Sequence, residues 1–120
     1  MALLKIKSRQ WIVDEKDRII MGEGRKEILE NIEKMGSMNK AAKLMKMSYK
    51  GLWSKIKATE KYLNTRIVES DRKEGTRLTK EGRELLKKYR LLKEKCVQAD
   101  NKVFDGIFPQ GRLHEGGKEK

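Results

Sequence analysis

The sequence is poor in the residues on which most enzyme chemistry depends. Its 120 residues include one cysteine (Cys96), one proline and one histidine (His114). A single cysteine excludes an intramolecular disulfide and fits a reducing compartment. The sequence has no His/Cys/carboxylate cluster with metal-ligand spacing, no Ser/His/Asp set and no GxxxxGK[ST] phosphate loop. We therefore predict a protein that is not an enzyme and that uses no cofactor or metal ion.

Long hydrophobic runs are also missing. No stretch approaches the roughly 18 apolar residues that a membrane-spanning helix needs. The first residues, MALLKIKSRQW, lack the apolar core of a signal peptide. These absences predict a cytoplasmic protein with no membrane partner. A length of 120 residues predicts a single domain to which one further helix can be appended.

Positive charge is abundant, and it is clustered. Thirty Lys and Arg residues against eighteen Asp and Glu give a formal net charge of +12. Residues 37–63 hold seven lysines and one acid, and residues 72–95 hold ten basic and four acidic side chains. Two such blocks favour a polyanionic partner, most simply nucleic acid. Charge alone does not distinguish double-stranded DNA from structured RNA.

Residues 37–63 predict two short helices joined by a tight turn, with Ser37 and Ser48 as their N-caps. On the second helix one face is largely apolar: Leu52, Ile56, Thr59 and Leu63. The opposite face is a polar, basic ridge: Lys50, Ser54, Lys57 and Lys61. This arrangement is typical of a helix-turn-helix, whose second helix enters the DNA major groove. An ordinary amphipathic helix with a solvated lysine face would have the same pattern.

The flanking segments predict a small β-hairpin over residues 3–21, a helix over residues 25–35 that ends at Gly36, and a second hairpin over residues 66–78. A hairpin that directly follows a recognition helix is typical of a wing, whose charged tip can contact phosphates or the minor groove. The alternative is a solvated hairpin whose charges prevent edge-to-edge pairing. We assign Trp53 to the core or its boundary, in preference to base contact.

A long helix follows, which Thr79 would cap and which would extend from Lys80 to about Phe104. Apolar residues recur in it with heptad spacing: Leu85, Tyr89, Leu92, Cys96, Ala99 and Val103. This seam predicts dimerisation, although a helix that packs on its own domain has a similar stripe. The predicted organisation is a DNA-binding domain over residues 1–78, a long helix over residues 79–108 and a flexible tail over residues 109–120.

Three motifs resemble a known family. They are GxGR at residues 22–25, GSMNKAAKLMKMSYKGLW at residues 36–53 and RLTKEGRELLKKY at residues 77–89. Together they resemble the N-terminal domain of ModE-type molybdate-responsive transcription regulators, and part of the pattern is shared with LysR-type regulators. The resemblance implies a mainly α fold with small β: a winged helix-turn-helix with an N-terminal β-hairpin and a long C-terminal dimerisation helix. It also implies a homodimer that binds a two-fold symmetric operator.

The resemblance carries over Ser48, Tyr49 and Lys50 as DNA contacts at the start of the recognition helix, and the wing as a phosphate or minor-groove contact. The basic ridge adds Ser54 and Lys57 as side chains that project into the major groove. Phosphate contacts are expected from five further cations: Lys40, Lys61, Arg72, Lys73 and Arg77.

The chain departs from this family in two places. Full-length members carry a C-terminal molybdate-binding module, and nothing after Phe108 is expected to build one. We therefore expect no molybdate site within this chain, and a DNA-binding domain that stands alone or is part of a longer protein. The wing sequence DRKEGT is shorter and more charged than the family's usual glycine-rich loop.

These observations predict a dimeric, sequence-specific double-stranded DNA-binding transcription regulator. The alternative is a winged-helix adaptor that pairs with a separate sensor chain through its long helix.

Overall fold

The structure is a computed structural model that describes residues 2–114. Its helices and strands follow in this order: β1 (Ile12–Val13), β2 (Ile19–Met21), α1 (Glu23–Met35), α2 (Met38–Leu44), α3 (Tyr49–Leu63), β3 (Val68–Asp71), β4 (Gly75–Leu78), α4 (Lys80–Ile107) and a 3₁₀ helix (Pro109–Gly111). The predicted mainly α fold with small β is confirmed. The chain divides into two compact units, a core unit (Trp11–Arg90) and a terminal unit (residues 2–10 and 91–114).

Serine side chains start α2 and α3, as predicted. The Ser37 hydroxyl accepts a hydrogen bond from the N–H of Lys40 at 3.2 Å and caps α2. The Ser48 hydroxyl accepts one from the N–H of Gly51 at 2.9 Å and caps α3. At the other end of α1, Gly36 adopts a left-handed conformation with φ of 67°. Each cap satisfies backbone groups that have no partner inside the helix.

The turn between α2 and α3 is short because the chain reverses at Lys46, a non-glycine residue with φ of 56°. The N–H of Met47 then donates to the carbonyl oxygen of Ala42 at 2.9 Å. Ala41 and Ala42 are buried, and their small side chains let α3 approach α2 closely. This geometry is the helix-turn-helix that residues 37–63 predict.

A single hydrophobic core lies in the core unit and takes residues from every one of its helices and from three of its strands. Its members are Ile20, Met21, Ile28, Leu29, Ile32, Met38, Ala41, Ala42, Leu52, Ile56, Ile67, Val68, Leu78, Leu86 and Tyr89. Tyr89 is only 1% exposed. Its assignment to a dimerisation seam is therefore corrected, because its side chain is already buried among residues of its own chain.

Both hairpins differ from their predicted limits. The first is confined to Ile12–Met21, where Val13 pairs with Ile19. Leu4 and Ile6 fall within the hairpin predicted over residues 3–21 but lie in neither strand, and Leu4 donates its N–H to the carbonyl oxygen of Gly111 at 2.7 Å instead. In the second hairpin, predicted over residues 66–78, β3 pairs antiparallel with β4 and begins only at Val68.

The terminal unit combines the N-terminal segment with the second half of α4. The Ser8 hydroxyl donates to the Asp100 carboxylate. Pro109–Gly111 form a 3₁₀ helix inside the segment predicted to be a flexible tail, and residues 115–120 of that prediction lie outside the described residues. Large apolar side chains are exposed throughout this unit: Leu3, Leu4, Ile6, Leu91, Leu92, Val103, Ile107 and Leu113.

Candidate nucleic-acid interface

The outer face of α3 carries the side chains that the sequence predicts to contact DNA. Tyr49 is 47% exposed, and Lys50, Ser54 and Lys61 are exposed along the same helix. The opposite face is buried, and the Thr59 hydroxyl on it donates to the carbonyl oxygen of Ile20 in β2 at 2.9 Å. The buried face thus fixes the rotation of α3 and turns its basic ridge away from the core.

Lys57 differs from the other lysines of this ridge because its ammonium is held by neighbours on α3. Its Nζ lies 3.1 Å from Oε1 of Glu60 and 5.7 Å from the centroid of the Trp53 ring. Trp53 is 43% exposed and is not one of the hydrophobic residues that form the core or pack against it, so its predicted place in the core or at its boundary is not confirmed. Lys57 is half-buried between an acid and an aromatic ring.

Glu60, which is not among the predicted site residues, connects α3 to the start of the wing. Its Oε2 accepts hydrogen bonds from the N–H groups of Ile67 at 2.8 Å and Val68 at 3.2 Å, where the chain enters the wing. Burial raises the pKa of the carboxyl, but these two N–H groups and Lys57 outweigh burial and hold the pKa below its ordinary value. One available signal was its helical position beside Ile56, at the edge of the apolar face.

A groove of about 190 Å³ separates the first half of α3 from the wing. Tyr49 and Trp53 line one side, and Arg66, Glu69 and Ser70 line the other. Aromatic, cationic, acidic and hydroxyl side chains therefore line an opening between the two elements expected to touch DNA.

The tip of the wing exposes Arg72 and Lys73, two of the predicted phosphate contacts. Oδ1 of Asp71 accepts hydrogen bonds from the N–H groups of Lys73 at 2.7 Å and Glu74 at 3.4 Å. The first of these bonds is the main reason why the pKa of Asp71 is lowered. The Asp71 side chain thus organises the turn that presents the two cations.

Arg77, also a predicted phosphate contact, is paired within the wing. Its Nε lies 3.3 Å from Oε2 of Glu69, and its Nη1 lies 2.8 Å from Oε2 of Glu74. Lys40, the predicted contact on α2, has an exposed side chain. The structure therefore brings Arg72, Lys73 and Arg77 together in the wing but gives Arg77 two carboxylate partners.

The predicted dimerisation seam on α4 is exposed only in part. Leu85 is partly buried against the core, and Tyr89 is buried. Further along the helix Leu92 and Val103 are exposed, the latter at 63%, as is Ala99. The sixth residue of the seam, Cys96, is half-buried.

Among residues 2–114, no group of three or more His, Cys, Asp and Glu side chains is placed to hold a metal ion. Within the same residues, no helix has the length and apolar character needed to cross a membrane.

Three helices followed by a two-stranded β-hairpin define a winged helix-turn-helix domain. Residues 26–83 match the family of bacterial regulatory helix-turn-helix proteins of LysR type, and this range extends from α1 to the start of α4. The helix-turn-helix region of this chain is therefore similar to that of the LysR-type regulators.

The chain is 35% identical over 84 residues to the molybdenum transport protein ModE of Azotobacter vinelandii, a match that covers 67% of this chain and 31% of that protein. The chain thus spans about a third of the length of this relative.

Solved structures share the fold at low sequence identity. The crystal structure of a complex between the CbnR DNA-binding domain and DNA matches with a TM-score of 0.58 and 21% identity, over 72% of this chain and 99% of that one. CbnR itself, a LysR family transcriptional regulator, matches with a TM-score of 0.56 and 21% identity, over 71% of this chain and 29% of that one.

Proposed function

We propose that this protein is a sequence-specific double-stranded DNA-binding transcription regulator of ModE-like type that acts as a dimer in the cytoplasm. The observation that carries the proposal is the exposed basic ridge of α3, represented by Lys50 and Lys61, beside a wing whose tip exposes Arg72 and Lys73. The family of residues 26–83 and the names of the relatives support it.

In this proposal the first turns of α3 enter the major groove. Ser48, Tyr49 and Lys50 lie where a recognition helix reaches base edges, and Ser54 follows one turn later. Lysines that contact phosphates fix the orientation of the helix but carry no sequence information. Base discrimination therefore depends on the few side chains at the start of α3, and overall affinity depends on the surrounding cations.

Dimerisation is proposed through the exposed part of α4. Leu92, Ala99 and Val103 keep the heptad spacing after the buried Tyr89. Two copies would then present two recognition helices to half-sites about one helical turn apart, roughly 10 base pairs. A two-fold symmetric dimer of this kind is expected to bind a palindromic operator.

Fluorescence anisotropy on duplex DNA tests the function. A preferred duplex is first selected from a random pool, and the chain is then titrated on that duplex and on a random one. Lys50→Ala is expected to weaken binding to the selected duplex by about tenfold or more and to change random binding much less. Lys55→Ala is the matched control, because Lys55 is exposed on α3 outside the basic ridge.

Two outcomes contradict the proposal in different ways. Equal losses on both duplexes for Lys50→Ala would remove its base-reading role. A chain that ignores duplex DNA even at low salt would favour the adaptor that pairs with a separate sensor chain.

A further inference from the structure

We infer that Glu60 is a positioning residue of the proposed DNA-binding surface. Its single carboxylate fixes the first residues of the wing against α3 and holds the Lys57 ammonium on the helix, so that Lys57 does not bind phosphate. The inference rests on the proposed function for its effect on DNA binding, whereas the anchoring of the wing is a property of the fold alone.

The burial of Glu60 is the first step of the argument. The residue is 8% exposed, and a buried carboxylate is strongly destabilising unless its oxygens are hydrogen-bonded or paired with charge. Both oxygens have partners: Oε2 accepts the N–H groups of Ile67 and Val68, and Oε1 contacts Nζ of Lys57. Nε of Arg66 lies 3.9 Å from Oε2.

The entry of the chain into the wing is fixed from both sides. The N–H of Ile67 donates to Glu60, and the carbonyl oxygen of Ile67 accepts the N–H of Thr79 at 2.9 Å. Ile67 and Val68 are buried, so their N–H groups would lack a water partner if the carboxylate were absent. Glu60 therefore sets where β3 begins relative to α3.

The same carboxylate also keeps the Lys57 ammonium from binding a phosphate. Its ammonium is neutralised at 3.1 Å by Oε1 of Glu60 and lies over the Trp53 ring. Within residues 2–114, by contrast, no salt bridge joins Lys50 or Lys61 to an acid. A lysine that already has a carboxylate partner releases few counterions on binding a phosphate. Lys57 therefore shapes the wall of the groove between α3 and the wing.

The substitution Glu60→Gln separates the anchoring of the wing from the holding of the Lys57 ammonium. The glutamine carbonyl oxygen can still accept both backbone N–H groups. The N–H₂ group of the same side chain would then face the Lys57 ammonium, and because both groups are hydrogen-bond donors they cannot bond to each other. We expect Lys57 to be released toward solvent, where it can contact a phosphate. The plot of log affinity against log salt concentration should steepen by about 0.9 on random duplex.

Two further variants control this result. Lys57→Met combined with Glu60→Gln should return the slope to that of the wild type. Glu33→Gln removes the same charge from an exposed site on α1 and should leave the slope unchanged. A slope for Glu60→Gln that equals the wild-type slope would overturn the proposed sequestration of Lys57.

Amide hydrogen exchange tests the anchoring without DNA. The N–H groups of Ile67 and Val68 should be protected in the wild type and in Glu60→Gln, and should exchange at least tenfold faster in Glu60→Ala. If Glu60→Ala fails to fold, Glu60→Met keeps the length of the side chain but lacks the acceptor. If the Ile67 and Val68 amides of folded Glu60→Ala or Glu60→Met exchange as slowly as in the wild type, the anchoring is refuted. The proposed function would be refuted separately, by a wild-type protein that binds no duplex DNA.

Discussion

The N–H of Thr76 in β4 donates a hydrogen bond of 3.0 Å to the carbonyl oxygen of Gly36, the residue that ends α1. This bond attaches the wing to the helices at a second point, distinct from the contact of Glu60 with the start of β3. The neighbouring Gly75 has φ of 78°, and a Cβ atom there would collide with the same Gly36 oxygen. A glycine is therefore required where the wing crosses the end of α1.

Gly75→Ala should destabilise the fold by about 1–3 kcal/mol, because it adds both a left-handed non-glycine residue and a steric collision. Urea unfolding measures the change. Gly24→Ala is the control: Gly24 lies in α1 with open space around its Cα and no positive φ, so alanine should be neutral or stabilising by up to about 1 kcal/mol. Equal effects at the two sites would contradict the steric argument.

Ser48→Asp should keep the cap of α3 but weaken DNA binding. Aspartate caps a helix about as well as serine, so the free energy of unfolding should change by less than about 1 kcal/mol. At the proposed entry to the major groove, however, its negative charge would lie close to phosphates. We expect a loss in duplex affinity of about tenfold or more, measured by anisotropy.

Ser37→Asp provides the matched comparison, because Ser37 caps α2 in the same way and the substitution adds the same charge. A similar loss of affinity for both variants would argue against a specific location of Ser48 at the DNA surface.

Glu60 should also make stability depend on pH. Its folded pKa lies below the ordinary value of 4.5, so the unfolded chain binds more protons than the folded one at mildly acidic pH. The stabilising contribution is therefore fully present above pH 4.5 and is lost as the pH falls through the lowered folded pKa.

Urea unfolding of the wild type and of Glu60→Gln across this pH range tests the sign. The stability difference between the two proteins should shrink as the pH falls below 4.5. Asp14 and Asp71, whose pKa values are also lowered, are present in both proteins and cancel in the comparison. A difference that stays constant with pH would show that the charge of Glu60 contributes nothing to folding.

Val103→Gln should weaken the proposed dimer by at least about 1 kcal/mol, since an interface would bury this exposed side chain in both copies. Sedimentation equilibrium measures the dissociation constant. Lys102→Gln changes the adjacent exposed residue and should have little effect. Self-association that neither variant alters would place the interface elsewhere on the chain.

Local patterns were sufficient to predict the helices and most of their ends. Ser37, Ser48 and Gly36 act through hydrogen bonds to residues only three or four positions away, so their roles can be read from short stretches of sequence. The buried face of α3 follows in the same way from helical periodicity, although Leu63 at its end is exposed. Hairpin limits were less accurate, because strand pairing depends on register between separate segments.

Two errors have a common cause, which is that the local sequence of a helix does not show which distant segment each of its side chains contacts. Tyr89 fits a heptad seam equally well whether it packs on another chain or on its own core, and the structure places it in the core. Glu60 appeared as one acid among seven lysines in residues 37–63. Its role depends on Ile67 and Val68, whose N–H groups reach it only after the chain has turned into the wing.

The hydrogen bonds from Ile67 and Val68 to Glu60 also determine how this domain can be re-engineered. A chimaera that takes α3 from one protein and the hairpin from another would leave two amides without an acceptor unless the transplanted helix supplies a carboxylate or side-chain amide oxygen at the same position. Residues 48–78 should therefore be transplanted together, as one cassette.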